Sequence, residues 1–158
     1  MESELSKVVR RHFIQELAAA LPQFEPQGGK GKVATPGWRS FIWTVRDDLH
    51  FFIGLGFDGA SGSFTVEGGW NDMPEYPGHP MLHVLPEVGK SPADKVEMLF
   101  RAGATAAGGT LMERRWRQNP AVDEKEIEAQ VREAVRLVQT EFVPLYRERA
   151  ERKGIALG

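Results

Sequence analysis

Residues 38–70 read WRSFIWTVRDDLHFFIGLGFDGASGSFTVEGGW, and the apolar residues of this run fall on alternate positions. That is the period of a strand, whose side chains point in turn to two opposite faces. Three antiparallel strands follow, over residues 38–46, 49–57 and 63–70. Asp47-Asp48 makes one tight turn and Asp58-Gly-Ala-Ser-Gly62 the other, since Asp and Gly tolerate the backbone angles that such turns require. Leu49, Phe51, Ile53, Leu55 and Phe57 share one face of the second strand. Phe41, Trp43 and Val45 match them on the first strand, as Phe64, Val66 and Trp70 do on the third. Left in water, these side chains would form an aggregating surface, so helices are expected to cover them.

On the N-terminal side, Leu5, Val9, Phe13, Leu17 and Leu21 recur at steps of four, with Val8 and Ala20 widening the stripe. This predicts a helix over 3–21, capped by Ser3 and stopped by Pro22. Residues 23–36 hold Pro26, Gly28, Gly29, Gly31 and Pro36, which leaves a loop with at most a short edge strand. On the C-terminal side, Pro74, Pro77, Pro80, Pro86 and Pro92 forbid a long helix across 71–92, and a short strand is expected at 81–85. Ser91, Pro92 and Asp94 read as a helix start, with Val96, Leu99 and Phe100 as its apolar stripe. Small residues at 103–109 interrupt that helix, and 111–116 resume it. Asn119-Pro120 opens a longer amphipathic helix bearing Val122, Ile127, Val131, Val135, Val138 and Phe142. Pro144 is expected to kink or stop it near Val143, ahead of a charged helical tail to Lys153.

The expectation is one α+β domain over residues 1–158: helix 3–21, β-meander 38–70, proline-rich loop 71–92 and helices over 92–153. Its single antiparallel sheet, three strands extending to four or five, is covered on one face by the N-terminal and C-terminal helices.

The 158 residues are 41% hydrophobic, enough for a core, and Lys plus Arg number 20 against 22 Asp plus Glu. A net charge of −2 argues against a protein that coats nucleic acid or anionic lipid. Cysteine is absent, which excludes disulfides, thiolate metal sites and cysteine nucleophiles. The charged start, MESELSKVVRRHFIQEL, lacks an apolar signal core, and no apolar run approaches the roughly 20 residues of a membrane span. A soluble, cytoplasmic domain is expected.

Three near-motifs fail on chemistry. In Gly103-Ala-Thr-Ala-Ala-Gly108-Gly109-Thr110, glycine stands where a phosphate-binding loop needs its lysine, so a close helix crossing is the better reading. The 28–32 run Gly-Gly-Lys-Gly-Lys has the wrong order for such a loop. Gly59-Ala-Ser61-Gly62-Ser63 lacks the last glycine of a nucleophile elbow and reads as hairpin. Arg114, Arg115 and Arg117 around Trp116 adjoin Glu113 and belong to a solvated face.

The second face of the sheet carries the functional expectation. It collects Ser40, Ile42, Thr44, Arg46, His50, Phe52, Gly54, Gly56, Thr65, Glu67 and Gly69. Strand glycines mark places where something approaches the backbone closely, either another part of the chain or a ligand. The binding residues expected there are Arg46, His50, Phe52 and Glu67, with Trp70 and Tyr76 at the rim. Residues 33–92 hold three basic residues against seven acidic, which favours a basic or neutral partner over nucleic acid. The function expected is a non-catalytic binding domain for a protein or small ligand, using this face and the acidic proline-rich loop and needing no cofactor. One alternative is a metal-assisted hydrolase in which Asp72, Glu75, His79 and His83 hold the ion. A second is a homodimer in which the C-terminal helix buries its stripe against another copy. No segment carries the signature of a known family.

Overall fold

A computed structural model of the chain describes residues 4–27, 38–58, 62–77, 96–101, 116–118 and 123–157. Ser3, His79, His83, the expected strand at 81–85, the small-residue run at 103–109 and the Asn119-Pro120 cap lie outside them.

Helix α1 spans Glu4–Ala20 and buries Val9, Phe13 and Leu17. Its last bond runs from Leu21 N to the Leu17 carbonyl at 2.7 Å, immediately before Pro22. Strand β1 is only Glu25–Pro26, set against the outer edge of β2 with Glu25 opposite Ile42. The meander forms as the alternation requires: β2 is Trp38–Arg46, β3 Leu49–Asp58 and β4 Ser63–Asn71. Trp43 lies opposite Phe51, and Phe51 opposite Trp70, so large apolar residues stack across three strands. The β2–β3 register shifts between Thr44 and Arg46, a bulge at Val45 that increases the twist at the end of β2. Gly62 takes φ +62° where β4 begins, an angle that favours glycine.

Two further strands replace what the spacing of Val96, Leu99 and Phe100 presents as helix. Strand β5, Met98–Arg101, pairs antiparallel with β4, Trp70 opposite Met98 and Glu67 opposite Arg101. Strand β6, Trp116–Arg117, pairs with the start of β4, Phe64 opposite Trp116. The expected helices over 92–153 are therefore corrected at both places. A spacing of three and four suits one helical stripe, but here it bows to an open edge of β4 that needs hydrogen-bond partners. Strand β5 ends opposite Glu67 and β6 begins opposite Phe64. Among the described residues the sheet has six strands, ordered β1-β2-β3-β4-β5 with β6 also on β4.

Helix α2 is Glu124–Leu137. Its cap is Asp123, whose side chain accepts from Glu126 N–H at 2.9 Å; this takes the role the sequence suggested for Asn119. A π-helical turn over Val138–Phe142 joins it to α3, Val143–Arg152. Two causes converge on that turn. Pro144 has no N–H to offer the Thr140 carbonyl, and Val143 N–H bonds instead to the Val138 carbonyl, five residues back. The inward residues Val138, Phe142, Tyr146 and Ala150 are also spaced by four throughout. In an ideal α-helix each such step drifts about 40° off the face, and a wider turn takes up part of the drift. Gly154, at φ +74°, ends α3 with Ile155 N bonded to the Ala150 carbonyl.

Helices α1, α2 and α3 cover the same face of the sheet. Phe13 of α1 meets Phe41 at 5.7 Å between ring centres, and Tyr146 of α3 stacks on Phe51 at 4.5 Å. Ile127, Val131, Val135, Val138 and Phe142 are buried in the core they share with β2, β3, β4 and β5. The stripe once open to a second copy is thus spent within the chain. No helix among the described residues is long and apolar enough to cross a membrane.

Candidate functional site

The second face of the sheet holds the residues that the alternation assigns to it, but it is not open. Phe52 is 0% exposed, His50 4% and Glu67 7%. Phe52 nevertheless stands apart from the core beneath the helices, which confirms that it points the other way. The cover includes residues 72–77, which leave the end of β4 and turn back over the sheet as a strap. Tyr76 packs edge-on against Phe52, with 5.6 Å between ring centres, and its hydroxyl donates to Glu67 Oε1 at 2.8 Å. Gln27, beside β1, donates to the Pro74 carbonyl at 3.3 Å, so the strap reaches across to the far edge. Asn71 ties it internally, donating to the Glu75 carbonyl at 3.1 Å and accepting from Met73 N–H.

The expected docking floor is therefore corrected, residue by residue. His50 braces the β2–β3 turn: its Nε2–H donates to the Asp47 carbonyl at 3.1 Å, and its Nδ1 meets the Thr44 hydroxyl at 2.9 Å. A carbonyl only accepts, which fixes the proton on Nε2. Arg46 is exposed but forks onto Asp48 through Nε at 2.6 Å and a second nitrogen at 3.1 Å. Trp70 points to the helix side and packs on Phe100. Gly68 and Gly69 have packing causes. A Cβ at Gly68 would lie 2.6 Å from the Phe142 ring and from the Tyr146 hydroxyl, and one at Gly69 would run into the Met98 carbonyl.

What remains accessible is the strap itself. Asp72, Met73, Pro74 and Glu75 are all exposed. Met73 at 52% and Val96 at 57% are the two most exposed large apolar side chains among the described residues. Val96 lies two residues before Met98 and Asp72 two residues after Trp70, and Met98 and Trp70 are a register pair. Both apolar side chains thus leave the sheet at one end of the β4–β5 ladder, with the carboxylates of Asp72 and Glu75 alongside Met73. No family model, curated protein or solved structure matches this chain.

The proposed metal set is not assembled among the described residues, where no group of three His, Asp or Glu side chains converges. Asp72 and Glu75 are exposed, while His79 and His83 lie outside the described residues. Charged clusters elsewhere clamp elements together. Asp48 holds Arg46 and also Lys153 Nζ at 3.1 Å, and these cations keep its carboxyl well below the usual carboxylate range, Arg46 most strongly. His12 and Arg11 of α1 share Glu124 of α2, and Arg132 bridges Glu16 and Glu128.

Sequence reasoning passed over Met73 and Val96. Met73 offered a signal, an apolar residue between Asp72 and Pro74 in an otherwise polar loop. Val96 was absorbed into a helical stripe that did not form.

Proposed function

We propose that this chain is a binding domain that engages a protein partner through the 72–75 strap and Val96 at the end of the β4–β5 ladder. The observation that carries this reading is the placing of the two most exposed apolar side chains at one end of the sheet. The strap is stiffened by Pro74 and Pro77 and tied down by Asn71, Gln27 and Tyr76. A loop held in shape before it binds loses less conformational freedom on association, which favours affinity. The partner is basic or neutral: Asp72 and Glu75 flank Met73, and complementary charge speeds and orients encounter. A cytoplasmic location belongs to the same reading and rests on the absence of cysteine.

A photocrosslinking side chain in place of Met73, with Ala129 on the exposed side of α2 as control, tests the proposal in cells. A discrete adduct from position 73, absent from position 129 and lost in an Asp72→Lys, Glu75→Lys background, is expected. No adduct from position 73, or the same adducts from both positions, overturns it.

A further inference from the structure

We draw no further inference here: the strongest candidate, the Tyr76-latched strap over the buried Glu67 carboxylate and the second face of the sheet, carries nothing, because nothing among the described residues shows what that face would receive.

Discussion

The Tyr146 hydroxyl is where the helical layer touches the backbone of the sheet. It donates to the Phe52 carbonyl at 2.6 Å and faces the Gly69 backbone N–H, the two members of one register pair across β3 and β4. Gly68 makes room for it, since a Cβ there would sit against that oxygen. Tyr146→Phe keeps the ring on Phe51 but removes the buried hydrogen bond to the sheet backbone. We expect a loss of about 0.5–1.5 kcal/mol in urea denaturation, the usual net contribution of one intramolecular hydrogen bond. The phenol also gives an alkaline signature. Burial pushes its ionisation well above the ordinary value of 10.0, with the Gly69 N–H pulling weakly the other way. A group whose folded value is raised contributes stability in full below the unfolded value, and that stability is lost as pH climbs beyond it. The parent should therefore lose stability above about pH 10 more steeply than Tyr146→Phe does. Equal slopes would mean that the phenol is not confined. The neighbouring glycines separate two kinds of close approach. Gly68→Ala crowds three aromatic rings and should cost about 1–3 kcal/mol, as overpacking does. Gly69→Ala meets backbone instead, so amide exchange should rise selectively at Leu99, Phe100 and Arg101. Protection left unchanged there would contradict the close β4–β5 approach.

Among the elements, the β2–β3 turn and the end of α3 are joined by Asp48. Lys153 donates to the Asp48 carbonyl at 2.9 Å as well as pairing with its side chain. A carboxylate whose folded ionisation is depressed contributes stability above its unfolded value, near pH 4, and loses it as pH falls through the folded value. Asp48→Asn should lower the neutral urea midpoint slightly and flatten the fall on the acid side of pH 4 by that same small amount, because the pair is exposed. An acid limb as steep as the parent's would rule the clasp out. The elements also differ in how far the sequence revealed them. The meander was legible because β2, β3 and β4 bury one whole face, and a period of two leaves no other reading of Leu49 to Phe57. Helix α1 was legible for the same reason at its own period. Strand β5 was not. Val96, Leu99 and Phe100 fit a helical stripe, and what makes 98–101 a strand is the unpaired edge of β4, a partner distant in sequence. The wide turn before Pro144 was half visible: proline announced a break, while the steps of four that make the break useful pass for ordinary helix periodicity.

For the whole molecule, one core gathers all three helices and the first face of the sheet. Because the α2–α3 stripe lies in that core, the unfolding midpoint should stay constant over about a hundredfold range of protein concentration. Mass action would raise it if folding depended on a second copy. The two-sided character of the sheet was readable, since alternation assigned Phe52, His50 and Glu67 to the correct side. Their exposure was not readable. It depends on the strap returning over the sheet through Tyr76, a contact that links residues nine apart through a side-chain bond and leaves no periodic trace. The candidate site accordingly shifted from the floor of that face to its rim. Arg101 and Trp116 are anchored on the same strand, opposite Glu67 and Phe64, three residues apart and by separate ladders. A chain divided between Arg101 and Trp116 should therefore give two fragments that reassemble, each bringing its own ladder to β4.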